Sequence, residues 1–450
     1  MTPKPPSPPT RRPGPTERLV EAAFGAPAPA RALAARWAAR KGLHAHALAA
    51  SPEDGYVLAR AGYFEQAAEL SKPGTTAWLG AVAGLGRIGL ATEHAAAAAS
   101  LPRAERRWIA GLIAASDAEA ALLFLGRDLP LEAAAVLLSK GDGDGAGERL
   151  ADLAATPEFW MIQAALDARI GDWAEARDDI NCAFVDKGLT EPLDVRGGVP
   201  SLEDFAGSAE PGRTRGELIS VVVAARDASE TLAMALGSLQ RQTWKDLEIL
   251  VVDDGSADAT AGVAADLARA DPRIRVLERS GSTGAAGARN LGMDAARGEL
   301  ISFHDADDWA HPERLERQMR AVERPGAVAC VAKHVRLGAN GAPLSPRVFP
   351  LVRTCPISLL VRANAARAAG GFEDEPVGTD SEYLARLDLL FGRPSVVRLD
   401  EIHVVAGWAD TSLSGRSATG LASAEGRALR EAYERDWRIR HAQRLREMVG

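Results

Sequence analysis

Three aspartates follow a short apolar run in the second half of the chain. Residues 300–309 read L-I-S-F-H-D-A-D-D-W, so Asp305, Asp307 and Asp308 stand where a buried strand is predicted to end. Carboxylates this close repel one another unless a cation or bound protons compensate their charge. A hard divalent ion, held by one or two carboxylates and completed by phosphate oxygens, would provide that compensation. The alternative is an Asp-rich loop in which Asp308 caps the next helix.

A second acidic strand end lies upstream. The apolar run 247–252 is followed by Asp253, Asp254 and Gly255. A strand-to-helix turn needs one Asp and one Gly but no second acid, although a plain turn remains the alternative for Asp254. Because open α/β sheets bind ligands beyond the carboxyl ends of their strands, two acidic strand ends predict a ligand site.

The segment between residues 217 and 303 alternates predicted strands with predicted helices. Apolar runs at 218–225 and 274–277 supply two further strands. Such alternation indicates a parallel sheet with right-handed crossovers. After the glycine-rich stretch 281–287, Arg289 is predicted in the first turn of a helix, where its guanidinium would face the aspartates and bind an anion. A surface ion pair is the alternative for Arg289.

Several motifs of this region occur together in one family. The stretches are I-S-V-V-V-A-A-R-D, S-L-Q-R-Q-T-W-K-D-L-E-I-L-V-V-D-D-G-S, G-A-R-N-L-G-M-D-A-A-R-G-E-L-I-S-F-H-D-A-D-D-W and A-A-G-G-F-E. In this order and at these distances, residues 217–407 resemble the family 2 glycosyltransferases. The resemblance covers somewhat less than half of the chain. It implies an α/β fold of the GT-A type, a doubly wound, mostly parallel and Rossmann-like sheet that binds a nucleotide-sugar over a divalent metal.

The resemblance also implies roles for individual residues. Asp305-Ala306-Asp307 resembles the metal-binding D-x-D motif, with Asp307 as the direct ligand of Mn²⁺ or Mg²⁺. Donor contacts are implied for Ala225, Arg226, Asp227, Asp253, Asp254, Gly255, Arg289, Asn290, Asp305 and Ala306. Acceptor-side contacts are implied for Gly371, Phe372, Glu382 and Trp408. Asp380 falls where the family carries its catalytic base, and its alternative role is to cap the following helix.

Two positions depart from the family pattern. After its first strand the family usually has a proline, an aromatic and a polar residue, whereas this chain reads A-R-D. A planar guanidinium can stack on a base, so Arg226 keeps recognition of a uracil possible. The usual Glu-Asp pair at the base is here Thr379 and Asp380, and Glu382 is expected to take over part of the lost acid's work.

Two histidines are candidates for contact with the metal. His403 lies in the strand-like run I-H-V-V-A-G-W and is predicted as a metal or diphosphate contact, with a structural role as the alternative. His304 directly precedes the D-x-D motif, and a structural position at the strand end is the favoured interpretation for it.

Together these roles predict an inverting, metal-dependent glycosyltransferase. The metal and Arg289 would stabilise the leaving nucleoside diphosphate, with a UDP-sugar as the expected donor. Asp380 would accept the proton of the acceptor hydroxyl. The expected acceptor is a glycan or a lipid-linked molecule, in bacterial surface polysaccharide synthesis. Transfer of a single sugar is expected because no processive Q-x-x-R-W motif occurs. The alternative is a non-catalytic nucleotide-sugar-binding or scaffold protein that acts through a helical domain.

Composition narrows the class of protein further. The chain has 450 residues, 46% of them hydrophobic, which suggests two or more domains with packed cores. A net charge of -8 argues against nucleic acid as a partner. No apolar run reaches the length of a membrane span and the Pro-rich start lacks a signal core, so a cytoplasmic location is predicted, with peripheral contact at the inner face of the membrane as an option. Cys182, Cys330 and Cys355 are too few and too widely spaced for a disulfide framework or a zinc site.

Five segments are predicted along the chain. They are a disordered Pro-rich leader (1–15), an alanine-rich all-α domain of helical hairpins (16–186), a linker (187–216), the GT-A domain (217–415) and a C-terminal helical segment (416–450). One turn and helix, I-G-D-W-A-E-A-R, resembles a tetratricopeptide repeat, although the breaks between helices are unevenly spaced. The all-α domain is expected either to pack or self-associate, or to hold a partner protein or the acceptor glycan. The last segment mixes arginines with acids, which predicts a solvated ion-paired helix, or else contact with anionic lipid.

Overall fold

The structure is a computed structural model that describes residues 9–194, 198–207, 216–279, 281–408, 419–421 and 423–449, apart from the side chain of Ala97. The chain divides into two compact units. The sheet unit comprises Met1–Arg12, Asp167–Leu344 and Val352–Ala409. The helical unit comprises Pro13–Leu166, Ser345–Leu351 and Asp410–Gly450. Residues 1–8 of the predicted leader lie outside the described residues.

The first part of the chain is helical, as predicted. Its helices are α1 Pro15–Ala22, α2 Ala28–Arg40, α3 His44–Ala50, α4 Gly55–Ala61, α5 Phe64–Leu70, α6 Thr76–Gly84, α7 Ile88–Glu93, α8 Ala95–Ala98, α9 Arg103–Ile113, α10 Ala118–Leu125, α11 Pro130–Lys140, α12 Gly143–Leu150, α13 Pro157–Ile170 and α14 Trp173–Val185.

Local capping explains where several of these helices begin and end. The side chain of Asp54 accepts hydrogen bonds from two amides at the start of α4, and Asp117 caps α10 in the same way. Gly62 and Gly141 end α4 and α11 in the left-handed conformation that glycine adopts most easily. Short helices with such ends turn back on one another, which accounts for the uneven hairpins expected from the sequence.

The sheet follows. Its elements in chain order are β1 Ile219–Ala225, α15 Leu232–Gln240, β2 Leu247–Asp253, α16 Thr260–Ala270, β3 Ile274–Glu278, α17 Gly284–Ala295, β4 Leu300–Asp305, β5 Asp308–Ala310, α18 Arg314–Val322, β6 Ala329–Leu337, β7 Pro343–Leu344, β8 Arg353–Arg362, α19 Ala363–Ala369, α20 Thr379–Phe391, β9 Val396–Gly407 and, after the sheet, α21 Ala424–Val449. Short 3-10 turns occupy Leu202–Asp204 and Arg393–Ser395.

The strand order is β3-β2-β1-β4-β8-β6-β9-β5, with β7 paired to β6. Strands β1 to β4 pair in parallel, as do β6 and β9, whereas β8 and β5 are antiparallel to their neighbours. The predicted α/β fold, preceded by an all-α region, is confirmed, and the sheet is mixed beyond β4. Because β1, β2, β3, β4, β6 and β9 run in one direction, their last residues meet at one edge, named here the carboxyl edge.

Apolar side chains on both faces of the sheet give it two cores. On one face Val222 and Phe303 pack with residues of α17, α19 and α20. On the other, Val221 and Leu300 pack with α15, α16 and α18. Burial on both faces explains the continuous apolar runs of β1 and β2 in the sequence. It also makes the strand ends rigid supports for the loops at the carboxyl edge.

The segment predicted as a linker contributes packing within the sheet unit. The ring of Phe184 stacks on His311, with ring centroids 5.6 Å apart. Nε2 of His311 lies 3.0 Å from the carbonyl oxygen of Thr190, and the side chain of Asn181 forms two hydrogen bonds with the backbone of Leu193. The described part of 187–216 therefore belongs to the same compact unit as the sheet.

The C-terminal helix α21 packs within the helical unit. It buries Trp437 and Leu445, and Arg446 donates hydrogen bonds to the carbonyl oxygens of Leu48 and Ala49 at the end of α3. Intrahelical ion pairs such as Arg438 with Glu434 are present, as expected for a helix rich in both charges. Among the described residues, no helix is both long enough and apolar enough to cross a membrane.

A buried carboxyl in the sheet unit makes stability depend on pH. Burial, reinforced by Asp167 on α13, raises the pKa of Asp179 on α14 to about 8. In the unfolded chain the pKa of an aspartate is about 3.9. The folded protein therefore holds a proton that the unfolded chain releases, so this contribution to stability is lost as the pH rises from about 4 to about 8.

We expect Asp179→Asn to raise the melting temperature at pH 8 by roughly 2–4 °C, because the amide needs no ionisation. At pH 4 the variant and the parent should melt together, since the parent carboxyl is then neutral. Thermal unfolding followed by circular dichroism across this pH range is the measurement. Asp294→Asn, which changes an exposed aspartate on α17 in the same unit, is the control. Equal pH profiles for parent and Asp179→Asn would contradict the assignment.

Candidate functional site

The carboxyl edge brings the two acidic strand ends together. The last residue of β1, Ala225, pairs with Asp253 of β2, and Ala224 pairs with Asp305 of β4. Parallel neighbours lie roughly 4.8 Å apart, so these three strand ends border one cleft. The juxtaposition expected from the sequence is therefore present, and it rests on backbone pairing within a buried sheet.

Asp254 ties the end of β2 to the glycine-rich loop. Its carboxylate accepts hydrogen bonds from the Ser282 hydroxyl at 2.5 Å, the Thr283 amide at 2.9 Å and the Gly284 amide at 2.9 Å. It thus satisfies free amides at the start of α17, as an N-cap would. Gly255 is needed next to it, because a Cβ there would lie 3.2 Å from the Gly281 backbone.

The loop after β1 folds over the end of β2. Asp227 adopts a left-handed φ of 49°, and its amide donates to the hydroxyl of Ser256. That hydroxyl donates to the carboxylate of Asp253 at 2.5 Å. Arg226 is exposed, and its guanidinium donates to the Ser282 hydroxyl at 2.6 Å, beside Asp254. The planar cation thus lies at the mouth of the cleft, where a base could stack on it.

The aspartates after β4 form a crowded anionic group. Asp305 accepts a hydrogen bond from the Arg289 guanidinium at 2.8 Å. Burial, followed by the charge of Asp305, raises the pKa of Asp307 to about 6. Asp308 is buried in β5, and burial with the charges of both neighbours raises its pKa well above the usual value. Asp308 is not a helix cap, because α18 begins only at Arg314.

The predicted helical position of Arg289 is wrong by one turn. Helix α17 begins at Gly284, where Asp254 binds the free amides, so Arg289 lies in the second turn. Its ion pair with Asp305 is inside the site and not on the surface, since only 10% of its side chain is exposed. The guanidinium carbon also lies 5.7 Å from the centre of the Phe372 ring. The residue therefore links the acidic group to the loop after α19.

Asn290 anchors that loop instead of pointing its amide into open space. Its side chain donates to the carbonyl oxygen of Phe372 at 2.9 Å and accepts from the amide of Phe372 at 2.7 Å. Phe372 in turn stacks on Tyr383, with ring centroids 4.4 Å apart. A side chain at Gly371 would collide with Asn290, so glycine is needed there. The acceptor-side loop is thus held against α17 and α20.

The candidate base and its neighbour have different surroundings. Asp380 is half-buried in the first turn of α20, whose N-cap is Gly378, so the capping role considered for Asp380 is wrong. Glu382 is fully buried and pairs with Arg386 at 2.9 Å, and Arg386 also donates to the carbonyl oxygen of Gly371 at 2.8 Å. Glu382 is therefore a positioning residue of the loop, which corrects the expected share in base chemistry.

His403 does not join the aspartates. It is fully buried, with Nε2 2.8 Å from the Glu401 carboxylate. Ala406, three residues later and about 10 Å along the strand, is the residue that pairs with Asp308. Side chains three apart on a strand also point to opposite faces, so the predicted metal contact of His403 is wrong.

His304 has the structural role that was favoured for it. Arg314 donates to its Nδ1 at 3.1 Å, which leaves Nε2 to donate to the Asp308 carbonyl at 3.0 Å. Burial lowers the pKa of His304 to about 3, so the ring is neutral.

Asp305 and Asp307 suit a hard divalent cation. Oxygen donors are what Mn²⁺ and Mg²⁺ prefer, and the pKa of Asp307 is raised first by its burial and then by the charge of Asp305, both of which a bound cation would offset. Within the ranges that the structure describes, no three His, Cys, Asp or Glu side chains are grouped as a complete metal site. The protein would thus supply one or two ligands, with substrate and water supplying the others.

Arg336 is a residue of the cleft that no sequence motif marks. It lies near the end of β6, and its guanidinium carbon is 5.7 Å from the centre of the Trp408 ring, just beyond β9. Its charge opposes the rise in the pKa of both Asp307 and Asp308. Trp408, predicted on the acceptor side, thus contacts an arginine at the acidic end of the cleft. Only the strand order, which the sequence pattern does not contain, brings β6 to this place.

A cavity of about 420 Å³ lies in the helical unit, apart from the carboxyl edge. It is bordered by α3 to α5 and by α21, with Leu48, Leu58, Leu70 and Ile439 among its apolar lining residues. Glu53 is the single carboxylate of that lining, so the cavity has none of the paired acids found at the carboxyl edge. The chemistry of the candidate site therefore lies in the sheet unit.

Residues 220–357 match the family model described as glycosyl transferase family 2. The sheet unit contains a family 2 glycosyltransferase domain. The match begins in β1 and ends in β8, so it includes both acidic strand ends and Arg336.

Curated relatives are similar to about a quarter of the chain. ExoO, a succinoglycan biosynthesis protein of Rhizobium meliloti (strain 1021), is 40% identical over 113 residues, which are 25% of this chain and 32% of that protein. AmsB, an amylovoran biosynthesis glycosyltransferase of Erwinia amylovora, is 36% identical over 107 residues, 23% of this chain and 36% of that protein. The chain thus spans about a third of the length of these relatives. A crystal structure of S. aureus TarS 1-349 in complex with UDP-GlcNAc aligns with a TM-score of 0.37 at 19% identity, over 43% of this chain and 60% of that one.

The hydrogen bonds of Asp254 predict that this residue stabilises the glycine-rich loop in the absence of any ligand. Asp254→Ala removes the acceptor of the Thr283 amide, of the Ser282 hydroxyl and of the shorter bond of the Gly284 amide, so we expect a loss of about 1–2 kcal/mol in the free energy of unfolding. Asp254→Asn keeps one acceptor oxygen and should lose less. Chemical denaturation of both variants measures this. Two variants as stable as the parent would show that the loop does not depend on Asp254.

Proposed function

We propose that the sheet unit catalyses transfer of one sugar from a nucleotide-sugar to a hydroxyl of a glycan or a lipid-linked acceptor, with inversion and with a divalent metal. The observation that carries the proposal is the pair of acidic strand ends at one edge, with Asp307 crowded by Asp305. The names of ExoO and AmsB support a role in surface polysaccharide synthesis. A UDP-sugar is the proposed donor.

The donor would lie across the carboxyl edge. Its base would meet the exposed guanidinium of Arg226 and the loop held by Asp253 and Asp254. Its diphosphate would lie between Arg289 and the D-x-D carboxylates. Fixed loops of this kind favour binding, because little conformational freedom is lost when the nucleotide arrives.

The residues of the chain would then act on both ends of the breaking bond. Asp305 and Asp307 would hold Mn²⁺ or Mg²⁺, which supplies positive charge near the departing phosphate. Arg289 would donate hydrogen bonds to that phosphate as negative charge develops on it. Asp380, in the first turn of α20, would accept the proton of the attacking hydroxyl. Attack from the side opposite to the leaving group inverts the anomeric carbon.

The metal assignment predicts that binding of UDP depends on a divalent ion. In calorimetry, Mn²⁺ should strengthen UDP binding by the parent, and a chelator should remove the gain. Asp307→Ala should bind UDP equally with and without Mn²⁺, because the expected direct ligand of the ion is then missing. Only Asp305, which is paired with Arg289, remains at the site. Asp266→Ala, an exposed site on α16, is the control. If neither Mn²⁺ nor the chelator changes the affinity of the parent for UDP, the metal assignment is wrong.

The base assignment predicts a loss of rate without a loss of binding. Asp380→Asn should lower the transfer rate by roughly a hundred- to ten-thousand-fold and leave donor affinity unchanged, since an amide cannot accept the proton. Transfer and donor binding are measured on one preparation with a panel of donors and acceptors. Asp374→Asn, in the exposed loop before α20, is the matched control. Full activity of Asp380→Asn would assign the base elsewhere, and absence of transfer by the parent across the panel would favour a binding or scaffold role.

A further inference from the structure

Among the described residues, the guanidinium of Arg336 forms neither a hydrogen bond nor an ion pair, although it is half-buried. Other arginines of the cleft are paired, Arg289 with Asp305 and Arg386 with Glu382. A charge partly removed from water without a partner costs free energy, which a bound anion recovers.

Strand register places this charge at the acidic end of the cleft. Arg336 on β6 pairs with Ala406 on β9, and Ala406 pairs with Asp308 on β5. Residues in register have side chains on the same face, so Arg336 and Asp308 share a face two strands apart, about 10 Å. The direct effect of Arg336 on the pKa of Asp307 agrees with this placement.

Trp408 lies against the guanidinium of Arg336. The amide of Trp408 donates to the carbonyl oxygen of Leu337 at 2.9 Å, which fixes the tryptophan beside the end of β6. The guanidinium carbon lies 5.7 Å from the ring centre. A guanidinium that lies over an aromatic ring in this way keeps N–H donors that can bind two oxygens of one phosphate.

We propose that Arg336, supported by Trp408, binds a phosphate group at the acidic end of the cleft. The inference deepens the proposed function and rests on it for the location of the substrates. Arg289 is already paired with Asp305, so Arg336 supplies a second fixed positive charge on the other side of the D-x-D carboxylates, in addition to the proposed metal. His334, two residues earlier, cannot supply it, because burial lowers the pKa of its ring to about 3.

The phosphate can belong to the donor diphosphate or to the acceptor. Calorimetry on the full chain with Mn²⁺ distinguishes these sources through three probes, which are UDP, uridine and inorganic pyrophosphate added to UDP-saturated protein. Arg336→Ala is compared with Arg320→Ala, which changes an exposed arginine paired with Glu316 on α18. Thermal unfolding checks that both variants fold, and Arg336→Lys keeps the charge without the planar donor set.

A donor phosphate predicts that Arg336→Ala weakens UDP binding roughly ten- to hundred-fold and leaves uridine binding unchanged. Arg336→Lys should lose less, and Arg320→Ala should match the parent. An acceptor phosphate predicts unchanged UDP binding and loss of pyrophosphate binding to UDP-saturated protein. The proposal is overturned if Arg336→Ala binds all three probes like the parent, or if it loses uridine and UDP equally. Should the parent bind pyrophosphate but no nucleotide, the proposed function fails while an Arg336-dependent anion site stands.

Discussion

Crowding of carboxylates after β4 is the constraint on which the carboxyl edge depends. Asp308 cannot turn away from its neighbours, because β5 pairs it to β9 and buries it. Arg314, fully buried behind the loop, donates to Ser302 and to the Phe303 carbonyl and orients His304 toward the Asp308 carbonyl. The backbone is thus held while the charges of the acids remain only partly compensated. Such a site is prepared for a cation at one side and for an anion beyond it.

Several motif residues serve this constraint indirectly. The side chain of Asp254 bonds to the start of α17, that of Asn290 to the backbone of Phe372, and that of Glu382 to Arg386. Each resembles a ligand-binding position in the sequence, since a polar residue beside a strand end looks the same in either role. Their bonds fix the glycine-rich loop, where Ser282 accepts from Arg226, and the loop that carries Phe372. Support of this kind governs how accurately a substrate can be oriented, because an error of an ångström in a loop is enough to lower the rate.

The parallel half of the site could be predicted from the sequence because its information is local. An apolar run that ends in Asp253 or Asp305 defines both a strand and its functional end. The start of α17 was misjudged because a tertiary contact, from Asp254, decides which residue becomes the first of the helix. His403 was misassigned because its face depends on the register of β9 against β5. Arg336 has no local signal, and only the pairing of β6 with β9 brings it to the cleft.

The part of the site on strands β1 to β4 and the part beyond β4 are built in different ways. The residues predicted to contact the donor come from the ends of parallel strands joined by helices, so their spacing follows from one repeated unit. The region beyond β4 mixes antiparallel pairs with the parallel pair of β6 and β9, and β6 shows register shifts against both β8 and β9. A shift of one residue there would turn Arg336 to the other face of the sheet and remove its charge from the cleft. The proposed contacts to the base therefore depend on the parallel half of the sheet, whereas the charge balance around Asp307 depends on the register of the second half as well.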